Sequence, residues 1–365
     1  MLGTSQVGAL LILSLAVVSA AFAQNTVPTT PANGTEHTAP SAGPSIPSMP
    51  TDPAAILAAG SKLNGLNGSA TSPWHIKATY QEFDSNGKLS SSGSYEESWF
   101  SDRSYKRTYT SANFTQTDYA IERGLYPTGS QDWPGHRETQ VRMYLIAPIP
   151  TQLGLPNPQL QKKSLTLGTA QLQCVTLQSS QVHPINSAYC FEQDRPMLRL
   201  VLSYDGLSQS VYNSVVEFQG HFIARDVRVT FRNQPVLTVH IDEIGTLPAT
   251  GAAELSPSSD AVGPIGAKIV VPEGTMSALL LVHVLPIYPV VAKDAHLQGA
   301  VVLHVTVGKD GAVKSADIIS GPNPFRTAAA DVVRHWVYRP FMFLGDATEV
   351  ETNVTITFTL GNVNP

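Results

Sequence analysis

The sequence predicts an α+β fold, in which an antiparallel β-rich middle domain is followed by a small α+β domain. Two observations lead to this prediction. Between Trp74 and Ile244 most segments alternate apolar and polar residues and follow one another closely, as short strands do. Between Leu285 and Leu360 the chain contains one strand–turn–strand–helix–strand unit. A segment rich in Pro, Ala, Gly and Ser, 246–266, separates the two regions as a linker.

The last unit begins with a predicted β-hairpin. Residues 300–307 alternate, so that four apolar side chains share one face: Val301, Leu303, Val305 and Val307. The segment Gly-Lys-Asp-Gly at 308–311 supplies a short turn, with glycine where positive φ is needed. Residues 312–320 then predict the returning strand, with Val313, Ile318 and Ile319 as its apolar members.

A helix and a closing strand are predicted after the hairpin. Asn323 is the expected N-cap, Pro324 fits the first helical position, and Pro340 is expected to end the helix. Its apolar face has three- and four-residue spacing and consists of Phe325, Ala328, Ala329, Val332 and Trp336. Residues 350–360 alternate again, with Val354, Ile356 and Phe358 on one face, and predict the closing strand.

Taken together, these residues resemble the C-terminal domain of the TonB family of energy transducers. The principal motif positions are Tyr288, Pro289, Gly299, Asp310, Gly311, Trp336, Tyr338, Pro340 and Gly345. Further residues of the pattern are Ile287, Ala292, Gln298, Gly321, Ala328, Ala329, Val337 and Arg339. One departure is that Phe325-Arg326 stands where the family usually has Leu-Asp before the helix.

The resemblance implies a three-stranded antiparallel sheet with helices on one face. It also implies a mode of contact, since domains of this family bind short extended peptides of outer-membrane receptors by adding a strand at an open sheet edge. Apolar periodicity usually reports packing, so Tyr288, Trp336 and Pro340 are themselves expected to be core and turn residues.

The middle domain is predicted to span residues 52–245. Asp52 is expected to cap a helix over 52–66 with Ile56, Leu57 and Leu63 facing inward, and 137–153 is a second helical candidate. Strands are predicted at 74–83, 94–100, 105–111, 116–122, 171–177, 188–192, 197–203, 211–218, 223–231 and 236–244. Such closely spaced strands indicate an antiparallel meander curled into an open barrel or a sandwich. A helix ahead of this sheet loosely resembles the lipoprotein-carrier fold of the cell envelope, a half-open barrel with a helical lid.

The N-terminal segment predicts export to the periplasm. Residues 7–23 are apolar and end in Ala21-Phe22-Ala23, a small-x-small cleavage site, so 1–23 is interpreted as a signal peptide. No Lys or Arg occurs before Lys62, and a retained inner-membrane anchor is therefore the competing interpretation. The segment is short for a span of ~20 residues, which favours cleavage. Residues 24–51, rich in Pro, Thr and Ser, predict a flexible tether.

Two cysteines are present, Cys174 and Cys190, on adjacent predicted strands joined by a turn near 181–184. An even number of cysteines in an exported chain favours a disulfide between them, and two buried free thiols are the alternative. His240 and Asp242 share one face of a strand, but no third metal ligand is apparent. No catalytic motif is found, so the sequence predicts neither an enzyme nor a cofactor or metal site.

The net charge is −5 and no basic patch stands out, which argues against nucleic acid as a partner. Two functions remain. The first is a periplasmic binding protein whose last domain offers a sheet edge, at 350–360, to an outer-membrane receptor, another envelope protein or a second copy of the chain. This includes energy transduction to outer-membrane receptors. The alternative is a carrier or sensor that holds an apolar ligand or lipid in the middle domain.

Overall fold

The computed structural model describes residues 48–66, 71–122, 124–129, 134–150, 158–178, 186–203, 206–257, 259, 261 and 269–360. The predicted signal peptide, the predicted tether up to residue 47 and the turn at 181–184 lie outside these residues. The fold is α+β, as predicted, and its described residues form two main hydrophobic cores and a smaller apolar cluster. One core lies under a large sheet and the other lies in a unit formed by residues 269–360, which we call the C-terminal unit.

Twelve strands form one antiparallel sheet, which we call the large sheet. They are β1 Trp74–Phe83, β2 Leu89–Ser101, β3 Ser104–Ser111, β4 Phe114–Ile121, β5 Gly124–Gly129, β6 Gln159–Leu167, β7 Ala170–Gln178, β8 Asn186–Glu192, β9 Leu198–Ser203, β10 Ser208–Phe218, β11 His221–Phe231 and β12 Gln234–Thr246. Their order is β5-β4-β3-β2-β1-β12-β11-β10-β9-β8-β7-β6. The first and last strands are therefore central neighbours, and β5 and β6 are opposite edges that leave the sheet open.

Two helices cover the inner face of the large sheet. They are α1, Pro53–Leu63, which is capped by Asp52 as predicted, and α2, His136–Ile146. Alternate residues of each strand point to this face because the side-chain period of a strand is two. In β1, for example, Trp74 and Tyr80 are buried. The helices contribute Ile56, Leu57, Val141, Leu145 and Ile146 to the same core.

The sequence predictions for this region differ from the structure at both helices and at two strands. Helix α1 ends at Leu63 rather than at residue 66, because Asn64 is extended, and Leu63 is only partly buried. Helix α2 ends at Ile146 rather than at residue 153. Strands β5 and β6 were not predicted, because β5 contains a proline between two glycines and β6 is exposed along most of its length, so neither alternates.

The C-terminal unit contains the predicted hairpin, helix and closing strand. Its elements are α3 Glu273–Ala278, β13 Leu280–Val282, α4 Val290–Asp294, β14 Gly299–Val307, β15 Val313–Ser320, α5 Asn323–Val333, β16 Val337–Tyr338, β17 Met342–Phe343, β18 Asp346–Ala347 and β19 Val350–Phe358. Strands β15, β14 and β19 form a three-stranded antiparallel sheet in that order. The four apolar residues predicted to share a face of β14 are fully buried.

Three details of this unit correct the sequence predictions. Ile318 and Ile319 are 41% and 56% exposed, because β15 is an edge strand whose register shifts at this point, and its last residues leave the covered face. The N-cap of α5 is Pro322, and Asn323 is the first helical residue without a capping hydrogen bond. The helix ends at Val333, well before Pro340, so Trp336 is buried beyond its end rather than on its face.

Candidate functional site

The candidate site is the edge of the three-stranded sheet. Strand β14 is central and pairs on both sides, so β15 and β19 are the two edge strands. In β19 the even-numbered residues from Val350 to Phe358 are buried, whereas Asn353, Thr355 and Thr357 are exposed. The odd-numbered residues direct their main-chain groups away from β14 to the outer edge of the strand, while the apolar face stays in the core.

Asp310 and Gly311 join the hairpin turn to β16. Gly311 has φ +82°, and an added Cβ would lie 2.0 Å from the carbonyl oxygen of Tyr338. The amide of Tyr338 donates a 2.8 Å hydrogen bond to the carbonyl oxygen of Gly311. One carboxylate oxygen of Asp310 accepts a 3.1 Å hydrogen bond from the amide of Ala312. The role of Asp310 and Gly311 in the structure is to close this turn.

Tyr288 packs at one end of the sheet. Its ring lies edge-on to Phe325 and Phe358, with centroid separations of 5.5 and 5.8 Å. Its hydroxyl donates a hydrogen bond to the carbonyl oxygen of Leu297. Pro289 precedes α4 as its N-cap residue. Both residues thus fix the entry into β14.

The remaining motif positions are also packed. Trp336 is buried, and its indole N–H donates a 2.9 Å hydrogen bond to the carbonyl oxygen of Val284. Gly299 opens β14 where an added Cβ would lie 2.9 Å from the ring of Pro322. Pro340 is partly buried after β16. These residues shape the sheet, while the edge itself consists of the main chain of β19.

Gly345 and Arg103 lie where the C-terminal unit contacts the large sheet. Gly345 has φ +85° and an added Cβ would lie 2.7 Å from the Cβ of Asp102. The guanidinium of Arg103 donates a 3.3 Å hydrogen bond to the carbonyl oxygen of Leu344 and a 2.9 Å hydrogen bond to the carboxylate of Asp346. The tight turn between β17 and β18 is therefore part of a contact between the two cores.

A segment preceding α3 lies along part of the outer edge of β19. The amide of Val271 donates a 2.8 Å hydrogen bond to the carbonyl oxygen of Glu351, and the amide of Glu351 donates a 3.0 Å bond to the carbonyl oxygen of Ile269. The Glu273 carboxylate accepts a 2.6 Å bond from the amide of Thr355 and a 3.0 Å bond from its hydroxyl. We missed this segment from the sequence, although the β-branched run before Pro272 was a signal for a short strand.

The role of Arg339 was also not apparent from the sequence. Its guanidinium donates hydrogen bonds of 2.6 and 3.2 Å to the carbonyl oxygens of Ala147 and Pro148, directly after α2. Burial lowers the pKa of Arg339, and three nearby tyrosines of the large-sheet core partly oppose this effect, namely Tyr189, Tyr212 and Tyr144. A motif residue of the C-terminal unit thus reaches into the other core.

An ionic cluster is buried between α2 and the large sheet. Glu97 is fully buried and lies 2.8 Å from Arg107 and 3.3 Å from Arg142, while the hydroxyl of Tyr95 donates a hydrogen bond to it. Burial alone raises the pKa of Glu97, but the two guanidinium groups outweigh it and lower this pKa to about 2. The arrangement holds α2 on the sheet through a carboxylate that stays ionised.

The structure pairs His240 with a carboxylate other than that of Asp242, the residue that shares its strand face in the sequence. His240 lies 2.6 Å from Asp226 on the neighbouring strand, at the rim of a cavity of about 670 Å³ on the outer face of the large sheet. Polar residues of this rim include Thr79, Ser94, Asn213 and Arg228. The described residues contain no group of three or more His, Cys, Asp or Glu side chains placed to hold a metal.

Cys174 and Cys190 form the predicted disulfide. They are directly opposed on β7 and β8, which are adjacent strands of the large sheet. Both residues are buried in a small apolar cluster with Leu172, Ala188 and Leu200 on the face opposite the main core. The bridge therefore stabilises the half of the sheet that lies far from β1.

Comparisons with solved structures give weak similarities. A LolA superfamily protein from Nitrosomonas europaea is 10% identical, with a TM-score of 0.37, and the match covers 55% of this chain and 97% of that one. A DUF1329 family protein from Desulfovibrio piger is 9% identical, with a TM-score of 0.35 and coverages of 55% and 98%. The MucA/MucB complex of Pseudomonas aeruginosa gives 12% identity, a TM-score of 0.25 and coverages of 59% and 62%.

No curated protein matches the sequence. None of the helices in the part of the chain that the structure describes combines the length and the apolar composition that crossing a membrane needs. A family model does match the C-terminal unit. Residues 284–360, which hold the hairpin, α5 and β19, match the family described as Gram-negative bacterial TonB protein C-terminal.

Proposed function

We propose that this chain is an exported, periplasmic binding protein of the cell envelope, whose C-terminal unit binds an extended segment of a partner by strand addition. The partner is an outer-membrane receptor or another envelope protein. The observation that supports this proposal most directly is the coincidence of the family match over 284–360 with a small sheet that has two edge strands. Domain limits at residues 245 and 267, the signal peptide and the tether remain part of the proposal.

Energy transduction is the finer form of this proposal. It requires that the N-terminal segment stay in the inner membrane, because only an anchored chain can draw on a motor there. Determining the mature N-terminus after cell fractionation decides this point. Retention of residues 1–23 in the membrane fraction would support transduction, and a soluble chain beginning at Gln24 would exclude direct coupling.

The test of strand addition is site-specific photocrosslinking in cells of the source organism. A photoreactive residue is placed at Asn353 or Thr357, which are exposed on β19, and for comparison at Lys163, which is exposed on β6 of the large sheet. We expect crosslinks to an envelope protein from the β19 positions alone, identified by mass spectrometry. Equal crosslinking from Lys163, or none from β19, would contradict the proposal.

The alternative, a carrier or sensor of an apolar ligand, rests on the large sheet with its helices. Side chains of α1 and α2, among them Ile56, Val141 and Leu145, are buried against its inner face. An apolar ligand on that face must therefore displace part of a helix. Lipid that co-purifies with the protein and is identified by mass spectrometry would support the alternative, whereas protein that is lipid-free when taken from the periplasm would exclude it.

A further inference from the structure

We propose that residues Ile269–Glu273 act as an intrachain occupant of the β19 edge, which a partner strand must displace before it can bind. The inference rests on the proposed function in one respect, namely that β19 is the edge at which the partner adds. The occupied state itself is a property of this chain alone. Because the edge is occupied, a partner can bind there only by replacing the intrachain segment with its own strand.

The main-chain contacts carry the first step of the argument. The segment runs parallel to β19 at this point, and Val270 is the residue opposite Glu351. Both outward main-chain groups of Glu351 are used, since its amide bonds to Ile269 and its carbonyl oxygen accepts from Val271. A partner strand needs these same two groups. The two strands therefore cannot occupy this position together.

Glu273 blocks a second outward position of the edge. Because alternate residues of a strand direct their main-chain groups to the same side, Glu351, Asn353 and Thr355 all face this edge, and Thr355 is the second outward residue after Glu351. Glu273 accepts from this amide at 2.6 Å and from the hydroxyl of Thr355 at 3.0 Å. A charged acceptor makes a stronger bond than a neutral one. The carboxylate of Glu273 thus occupies the amide of Thr355, which the main chain of Ile269–Val271 does not reach.

The segment is held from both sides. Ile269 and Val271 are 3% and 0% exposed in the core of the C-terminal unit, while Val270 between them is 58% exposed. Helix α3 begins at Glu273 and contacts α2, because the hydroxyl of Ser277 lies 2.8 Å from the imidazole of His136. Displacing the segment would therefore also disturb the contact between the C-terminal unit and the large sheet.

The seated segment also indicates what chemistry a displacing strand needs. It offers two apolar side chains separated by one exposed residue, and an acidic side chain two positions after the second apolar one. A partner that reproduces this pattern in parallel orientation would satisfy Glu351 and Thr355 as Ile269–Glu273 does. The partner class is accordingly an extended apolar segment that ends in a single carboxylate.

Amide hydrogen exchange on the full chain tests the occupied state. In the wild type we expect the amides of Glu351 and Thr355 to exchange slowly, because both donate hydrogen bonds. In Glu273→Ala the Thr355 amide should exchange at least about tenfold faster. The matched control is Glu349→Ala, which removes a carboxylate that pairs with Lys314 at 2.6 Å and should leave Thr355 unchanged. Exchange of Thr355 in the wild type at the rate of an unstructured amide would overturn the proposal.

A peptide-binding experiment tests displacement. The probe is a synthetic, fluorescently labelled peptide that copies residues 269–277. The probe binds only those molecules in which the edge is open, so its affinity for the full chain is proportional to their fraction. It should therefore bind Glu273→Ala at least about tenfold more tightly than the wild type. A peptide carrying Val271→Pro, which lacks the N–H that donates to Glu351, should bind both chains weakly. Equal affinity of the probe for wild type and variant would overturn displacement.

These experiments separate the inference from the proposed function, since neither uses a receptor. Protected edge amides together with no receptor crosslinks would reject strand addition by a partner and support the intrachain occupant. Receptor crosslinks at β19 together with unprotected edge amides would support strand addition and reject the intrachain occupant. Crosslinks from Ile319 on the other edge strand, β15, would assign the partner to that edge and reject displacement as a step in its binding.

Discussion

The guanidinium of Arg339 donates a 2.6 Å hydrogen bond to the carbonyl oxygen of Ala147, and this contact joins the two hydrophobic cores. Ala147 is the C-cap residue of α2, where carbonyl groups lack helical partners and the helix dipole favours a positive charge. Arg339 follows β16, whose Tyr338 is fixed by Gly311. The hairpin turn of the C-terminal unit is thereby linked to the end of a helix on the large sheet.

Removing this contact should cost stability. Arg339→Ala leaves the carbonyl oxygens of Ala147 and Pro148 without their donor, and we expect a loss of roughly 2–4 kcal/mol in the free energy of unfolding. Urea denaturation measures it and should show two transitions as the cores separate. Arg334→Ala, which removes only an exposed ion pair with Asp331, should cost at most about 0.5 kcal/mol. Equal losses in both variants would refute the assignment.

The buried carboxylate of Glu97 should make stability depend on acid. Its pKa is about 2 in the folded chain and ~4.3 in the unfolded chain. The stabilisation is therefore complete above about pH 4.3 and is lost as the pH falls towards 2. Glu97→Gln should remove this pH dependence and cost about 3–5 kcal/mol at neutral pH, because two guanidinium groups stay buried without their partner. Unfolding free energies measured across this pH range check the prediction; the exposed Glu349→Gln is the control.

A second pH dependence should lie at higher pH and arise from His136. Burial, aided by Arg137, lowers the pKa of His136 to about 4, below the ordinary value of ~6.5. The unfolded chain therefore takes up the proton first, and stability falls as the pH drops from about 6.5 to 4. Burial lowers the pKa of His283 to about 4 as well, so it contributes in the same range. The double variant His136→Gln and His283→Gln should flatten thermal stability over this range; an unchanged slope would refute the prediction.

The hairpin turn offers a matched pair of glycines. Gly311→Ala places a methyl group on the carbonyl oxygen of Tyr338 at a residue with φ +82°, and we expect a loss of at least about 3 kcal/mol. An added Cβ at Gly308 would lie 2.7 Å from the side-chain ends of Asp310 and Lys314, which can move, and 3.5 Å from the carbonyl oxygen of Ala312. This second variant should cost less than about 1 kcal/mol. Thermal unfolding followed by near-UV circular dichroism compares the two, and a Gly311→Ala chain as stable as wild type would contradict the role of the turn.

The disulfide should stabilise one half of the large sheet. Cys174 and Cys190 are separated by 16 positions, and opening a loop of this size should cost about 3 kcal/mol. The double variant Cys174→Ala and Cys190→Ala measures this loss in chemical denaturation. Addition of reductant should lower the wild type to the level of the variant and leave the variant unchanged. A wild type that is insensitive to reductant after unfolding and refolding would contradict the prediction.

Local patterns were sufficient to predict much of the fold. The apolar alternation of β14 and β19 identified both strands, and the location of Cys174 and Cys190 on adjacent predicted strands favoured the disulfide that the structure shows. These signals are local because each depends on which face of a strand is buried. The predicted burial of Ile318 and Ile319 was wrong, since it depends on what covers an edge strand. The predicted limits of α5 were wrong as well.

The features that define the site are long-range and were not predicted. Arg339 was recognised as part of a motif, but its partners Ala147 and Pro148 lie nearly two hundred positions earlier, at separations of 192 and 191. Glu273 and Thr355 are likewise 82 positions apart. Single-sequence patterns carry no signal for such pairs, because neither partner alters the periodicity around the other.

The central pairing of β1 with β12 has a mechanical consequence. Trp74, the first residue of β1, lies opposite Thr246, the last residue of β12. A pull applied between the N-terminal side of the chain and the C-terminal unit would therefore, once α1 has come away, load one rung of hydrogen bonds at a time. Strands loaded in this way separate by breaking their hydrogen bonds one after another. Strands pulled from opposite ends are sheared instead, and their hydrogen bonds break together. The pairing of β1 with β12 would thus open from this end under such a pull, and the chain would lengthen as it opens.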